Sequence, residues 1–399
     1  MEFGIFLNGF IPGPAAHSSA AEHTMLMQEA EYAIVADRYN WKYAWFGEHH
    51  SLVEYSHMSA PEVIMGYVAA RTERIHLCTG INSLSPRKEH PIRYAERAAM
   101  LDHITNNRFE WGTGRGAGSH EMASFNILDK NSTKPEWEEV IHEIPRMWEQ
   151  RDYRFEGEHF TVPTSHNVLP KPYGIGHPPI WVACGNPPTF ARAGELGIGA
   201  IAFNFEPIYA LKGRIDAYKE AIDGCVEPLG QFRNDNVMMT NAVICLGDRD
   251  RARAIAKRVG RGYLYSLVCL YHDTMPHPDY APTWPEPVHR MEDDALLDDL
   301  IEKGWLLCGT PDEVCEQIER YQTVGCDQVV FGLPSDSMHR DEVYEMLELF
   351  GTKVIPEYDR DSVHSTTRYR AEAVRKYPDF AFEPPTVTAS VLPETAPAP

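Results

Sequence analysis

The sequence predicts an α/β protein built as a (β/α)8 TIM barrel with insertions after the fourth and seventh strands. Two observations point there: eight short runs of β-branched and aromatic residues, and helical patterns between them. Strict alternation implies parallel strands joined by right-handed crossovers. Eight such units over roughly 350 residues suit a closed barrel, with an open doubly wound sheet as the alternative. The chain has 399 residues, 43% hydrophobic and 24% charged, which is enough apolar material for one large core or two medium ones.

The strand candidates are Phe3–Asn8, Tyr43–Gly47, Ile75–Ile81, Phe109–Thr113, Ile180–Cys184, Gly199–Phe203, Val237–Leu246 and Gln328–Gly332. Between them, Leu211, Ile215, Tyr218 and Ile222 form one helical face, and Val343, Leu347, Phe350 and Val354 another. Thr310-Pro311-Asp312-Glu313 supplies an N-cap, a proline at the first helical position and the glutamate of a capping box; Gly325 is the expected stop. Two segments interrupt the alternation, His120–Pro179 and Gly262–Trp305. The second is proline-rich, then acidic over Glu292–Asp299, and is expected to act as a lid on the catalytic face. The barrel is expected over 1–358, with a C-terminal helix and an extended Pro-rich tail over 359–399.

The formal net charge is −21, a field that repels phosphate backbones and anionic bilayers, so no nucleic-acid or membrane partner is expected. Apolar stretches such as Tyr263–Leu270 fall far short of the roughly 20 residues that span a bilayer, and Glu2 stands where a secretory signal places Lys or Arg. A cytoplasmic protein is expected. The eight cysteines include no Cys-x-x-Cys pair, which favours buried thiols over disulfides or zinc, and no metal site is expected.

In a barrel, polar residues just beyond the strands' C-terminal ends are the candidates for chemistry. After the second strand stands Glu48-His49-His50; neighbours at a strand end point to opposite sides, so one imidazole is expected in the mouth as a general acid–base group. After the third, Gly80 permits backbone conformations closed to other residues, and His90-Pro91 opens a helix with Tyr94, Ala98 and Leu101 on one face. After the fourth, Gly112-Thr113-Gly114-Arg115-Gly116 combines close backbone approach with one cation, which suits a single phosphate better than a dinucleotide. After the fifth, Gly185 to Thr189 leads into a helix whose free N–H groups are candidates for the same phosphate, a plain turn and cap being the other reading.

As a set these segments resemble the bacterial-luciferase-like family of flavin-dependent monooxygenases: Trp45-Phe46-Gly47-Glu48-His49-His50, His90-Pro91-Ile92-Arg93, Leu101-Asp102 with Asn107-Arg108-Phe109, and Gly112 to Gly116. Cys308 to Val314 with Gly325-Cys326-Asp327 is similar to the family's closing pattern. The resemblance covers residues 1–358 and is nearest to the terpene-oxidising members. It implies a TIM barrel that binds reduced FMN (FMNH2) at its mouth and reacts it with O2. The resulting peroxyflavin then oxidises a small apolar aldehyde, ketone, terpene or amine. It also implies a separate flavin reductase and a homodimer. Carried onto this chain, His49 and His90 match active-site histidines and Glu48 the acid of the Glu-His-His motif. Arg115 and Gly116 match the phosphate loop, and Gly80 and Ile81 the position of a non-proline cis peptide under the flavin. Gly185 and Thr189 fall in a second phosphate loop, from whose pattern the paired prolines depart. Some luciferases have a reactive cysteine before the phosphate arginine; here Gly114 stands there.

Two alternatives share the fold: a deazaflavin-dependent hydride-transfer oxidoreductase and a non-catalytic flavin-binding protein. Presence of His49, His90 and Arg115 together argues against the second, since storage needs only the phosphate anchor. A metal-dependent hydrolase would require His-x-His at a strand end, and no strand candidate ends in one.

Overall fold

The computed structural model describes residues 1–11, 17–53, 55–116, 118–203, 206–258, 294–333 and 338–376. Most of the Gly262–Trp305 segment and the whole of the 383–399 tail lie outside the described residues.

Among the described residues twelve strands are formed. They are β1 (Glu2–Leu7), β2 (Tyr43–Phe46), β3 (His76–Thr79), β4 (Asn82–Ser83), β5 (Phe109–Gly114), β6 (Tyr153–Glu156), β7 (Thr161–His166), β8 (Ile180–Cys184), β9 (Gly199–Phe203), β10 (Val237–Cys245), β11 (Leu306–Gly309) and β12 (Gln328–Gly332). Eight of them, β1, β2, β3, β5, β8, β9, β10 and β12, pair in parallel around a ring. The ring closes where Val237–Thr240 of β10 meets Ala200–Phe203 of β9, which excludes the open sheet.

Period-two patterning sorts the side chains. Ile5 and Leu7 face the outer helical layer, whereas Phe6 joins Tyr43, Trp45, Cys78, Trp181, Ile201, Met238 and Val330 in a second cluster that fills the barrel. The helix Lys212–Asp223 buries Ile215, Tyr218 and Ile222. The capping box forms at Thr310 and Glu313, and Gly325 ends the helix Pro311–Val324 at φ 93°.

Three elements differ from expectation. The third strand stops at Thr79 and resumes as β4; the Gly80–Ile81 peptide between them is cis, as the family resemblance implies. The His120–Pro179 insertion contains an antiparallel hairpin, β6 with β7. Leu306–Gly309, just beyond the second interruption, is a strand outside the ring that pairs with the far end of β10.

The helix Ser365–Ala371 covers the N-terminal end of the barrel. Arg370 forms a buried two-pronged pair with Asp102 at 2.7 and 2.8 Å, and Thr366 donates to Glu110 at 2.6 Å. The Asp102 of the sequence motif is therefore an anchor for this helix. The seven described cysteines are free thiols, six of them buried; Cys269 lies outside the described residues. Among the described residues no helix is long and apolar enough to cross a membrane.

Candidate active site

A cavity of about 700 Å³ opens at the C-terminal ends of β1, β2, β3, β5, β8 and β9. Its floor is apolar, made by Phe6, Ile81, Val182, Ile201 and Phe203. Polar groups gather at two ends of this floor.

At one end His49 lines the cavity. Its backbone N–H donates to the Met58 carbonyl at 2.9 Å, and its ring lies edge-on to Tyr55 with centroids 4.6 Å apart. Nδ1 lies 3.4 Å from Glu121 Oε2, which leaves Nε2 as the nitrogen for a bound molecule. Glu121 also accepts the His50 N–H at 2.9 Å, so one buried carboxylate fixes both the backbone and the imidazole. The His50 ring turns elsewhere, its Nε2 3.0 Å from Glu48 Oε1 and its face against Phe125.

Glu48 lines the same wall. Burial opposes its ionisation, yet the Lys88 ammonium and His50 outweigh that and hold the carboxyl down at about 2. Asn82 Nδ2 also donates to it. A group ionised at every working pH is not a proton donor, so the structure makes Glu48 a fixed negative charge.

At the other end are Arg115, Lys134, Asn131 and Ser83. Among the described residues neither Arg115 nor Lys134 has a carboxylate partner; Arg115 Nη1 touches only the Lys130 carbonyl, at 3.3 Å. Ser83 Oγ is buried with no hydrogen-bond partner. Gly116 sits at φ 91°, which favours glycine, and a Cβ there would lie 2.7 Å from Met122 Cε and 3.0 Å from Ser83 Oγ.

Three expectations change on inspection. Gly80 does not adopt left-handed backbone; glycine is needed because a Cβ would lie 2.7 Å from Phe6 Cζ. His90 is not brought to the cavity. It is exposed, caps the helix Pro91–Ile104 through Nδ1, and rests edge-on to Phe160. The helix Pro187–Glu195 does not offer free N–H groups at its start, because Pro187 and Pro188 have none and Asn186 Oδ1 takes that of Thr189 at 3.2 Å. Gly185 and Thr189 line the cavity. Glu121, Lys134 and Ser83, which sequence patterns did not mark, complete the site.

The fold and site define a TIM-barrel enzyme with a cationic pole and an imidazole–carboxylate pole across one apolar floor. The family model of luciferase-like monooxygenases matches residues 1–328. The chain belongs to that family and is an oxidoreductase. It is similar to the oxygenase component of flavin-dependent trigonelline monooxygenase from Acinetobacter baylyi, at 23% identity over 84% of this chain and 90% of the relative. Limonene 1,2-monooxygenase from Rhodococcus erythropolis is 27% identical over 81% of this chain and 77% of that protein. An F420-dependent glucose-6-phosphate dehydrogenase from Amycolatopsis mediterranei is 22% identical over 85% of this chain and 97% of that protein. The fold is shared with the oxygenating constituent of 3,6-diketocamphane monooxygenase from Pseudomonas putida, solved with FMN. The TM-score is 0.72 at 19% identity, covering 90% of this chain and 98% of that one.

Proposed function

We propose that this chain is an FMN-dependent monooxygenase acting on a small apolar organic molecule such as an aldehyde, ketone, terpene or amine. The observation that supports it is the two-pole cavity. A planar apolar ring system suits the floor, and a phosphate dianion suits Arg115, Lys134 and the unpartnered Ser83 hydroxyl. Reduced FMN, when bound, supplies the electrons that activate dioxygen. The protein's part is to position and to manage protons. Glu121 orients His49, and His49 Nε2 donates and withdraws the proton that oxygen transfer requires. Glu48, held ionised by Lys88, keeps a negative charge beside it, and the apolar floor excludes water.

Hydride transfer with a deazaflavin is the competing reading. That cofactor's phosphate continues into further carboxylates, and Glu138 and Glu195 line the cavity on the helices that carry Lys134 and Thr189. Arg192, which also lines the cavity, pairs with both, so one carboxylate remains in excess there to oppose such a tail and favour a terminal phosphate. The reduced flavin is supplied by a separate reductase. Val63, Met100 and Ile104, at least half exposed on the helices Pro61–Ala69 and Pro91–Ile104, offer an apolar face for a second copy of the chain.

Equilibrium dialysis against FMN, riboflavin and F420, followed by oxygen uptake with a flavin reductase and NADH, tests the reading. FMN should bind most tightly, and an apolar substrate should take up one atom of labelled dioxygen. Preference for F420 with no oxygen uptake would overturn it.

A further inference from the structure

The barrel interior connects the mouth to a second cavity at its base. Trp45 packs with Phe6, Ile81 and Ile201, all three of which line the mouth cavity. Its indole meets Trp181 edge-on, with centroids 5.3 Å apart and planes at 88°. Trp181 Nε1 donates to Glu110 Oε2 at 2.7 Å, and Glu110 Oε1 lies 2.7 Å from His76 Nδ1. His76 lines a cavity of about 390 Å³ at the base, together with Thr366 and Arg370. Trp45, Trp181 and Glu110 are each completely buried.

The two indoles differ in what surrounds their N–H groups. Among the described residues Trp45 Nε1 has no hydrogen-bond partner. Trp181 Nε1 has a carboxylate whose pKa burial lifts to about 7, so it exists in both forms near neutral pH. A one-electron oxidised indole becomes a strong acid, and it is trapped as a neutral radical only where a base can take its proton. Trp181 has that base and Trp45 does not, which makes Trp181 the deeper trap.

We propose that Trp45 and Trp181 conduct oxidising equivalents from the mouth cavity down the barrel axis, with Glu110 taking the released proton and His76 linking it to the basal cavity. The proposal rests on the flavin reading above. A one-electron oxidant in the mouth, of the class that a photo-excited oxidised flavin represents, takes one electron from Trp45. Trp181 refills Trp45 with one electron and gives its Nε1 proton to Glu110. One electron and one proton returned to Trp181, from the reduced oxidant or from a small thiol in solution, restore the starting state. Such a path discharges oxidants formed when oxygen is reduced without substrate, before they attack the cavity wall.

The test is flash excitation of the full chain with oxidised FMN, read by transient absorption, after dialysis has measured binding. The wild-type protein should give a tryptophan cation radical that converts to the neutral radical, the conversion slowing several-fold in D2O. Trp181→Phe should leave a cation radical that never deprotonates. Glu110→Gln, which preserves shape but cannot accept the proton, should slow deprotonation by about an order of magnitude. Trp45→Phe should reduce radical yield by a similar factor. Circular dichroism checks that the core variants fold; if they do not, the D2O effect on the wild-type protein decides alone. Bound FMN with no tryptophan radical, or unchanged deprotonation in Glu110→Gln, overturns the path and leaves the flavin reading intact. Failure of FMN to bind overturns both, since the path then has no oxidant at its upper end.

Discussion

The mouth of this barrel holds two histidine–glutamate pairs, His49 with Glu121 and His50 with Glu48, and the base holds one, His76 with Glu110; the two regions differ in what surrounds these pairs. At the base, charge is matched by charge: Arg370 with Asp102, and Lys42 with Glu2 at 2.7 Å and Asp359 at 2.8 Å. At the mouth Arg115 and Lys134 have no carboxylate partner among the described residues, and Ser83 Oγ has no partner at all. The helix over the base supplies a counter-charge to Asp102 from within the chain, whereas a binding site leaves charge unmatched because a ligand supplies the missing partner.

The glutamates sharpen the contrast. Both side chains are largely withdrawn from water, Glu48 at 7% exposure on the cavity wall and Glu110 completely, yet Lys88 holds the first down at about 2 while burial lifts the second to about 7. A directly contacting cation decides the outcome. The largest effect should come from removing that cation. Lys88→Met leaves the Glu48 carboxylate without its ammonium, held only by His50 and Asn82, and should cost about 3 kcal/mol of stability, whereas Lys88→Met with Glu48→Gln should recover most of it. Urea unfolding measures both. A cost in the single variant no greater than in the double would show that Lys88 does not set the Glu48 charge.

The mouth histidine comes next. His49→Ala should still bind FMN, since the cationic pole is untouched, but lose roughly a hundredfold or more in product formation and divert oxygen to hydrogen peroxide. His50→Ala, whose ring faces Glu48 and Phe125, should act mainly on stability. Coupled turnover in the His49 variant would remove the acid–base role and, with it, the functional difference between the His49–Glu121 pair of the mouth and the His76–Glu110 pair of the base.

Glu110 supplies a smaller effect whose sign is fixed. Its folded pKa lies above the ordinary 4.5, so the native state holds the proton more tightly and its contribution is fully present below about 4.5. That contribution is lost as pH rises through about 7. Relative to Glu110→Gln, the wild-type protein should therefore lose up to roughly 3 kcal/mol across this window. A pH-independent difference between the two unfolding curves would mean that Glu110 titrates in the ordinary range.

The two regions were not equally legible in the sequence. Barrel strands announce themselves by short apolar runs, and His49 and Arg115 by their place just beyond strand ends, so much of the mouth follows from local pattern. Glu121 does not, because its contact with His49 spans 72 residues of chain and no periodicity encodes it. The base is harder still: Asp102 and Arg370 are 268 residues apart, and Glu110 has the sequence surroundings of any strand residue. His90 misled for a local reason, since the residue before a helix-opening proline is a cap whether or not a site is near. The hairpin of β6 and β7 lacked the two-residue Asn-Gly or Asp-Gly turn that marks such pairs.

The smallest predicted effect tests the cationic pole itself. Arg370 is saturated by Asp102 and the Tyr173 and Ile175 carbonyls, whereas most of the Arg115 fork is unused. If that fork awaits a phosphate, Arg115→Lys keeps the charge but loses the paired donor geometry. FMN affinity should then fall by roughly tenfold, about 1.4 kcal/mol. Riboflavin has the same ring system and no phosphate, so its binding should scarcely change. Dialysis of both ligands against both proteins isolates the phosphate contribution from any general loosening of the loop. Equal weakening of FMN and riboflavin would mean that Arg115 supports the cavity wall, and the phosphate would then have to be sought at Lys134.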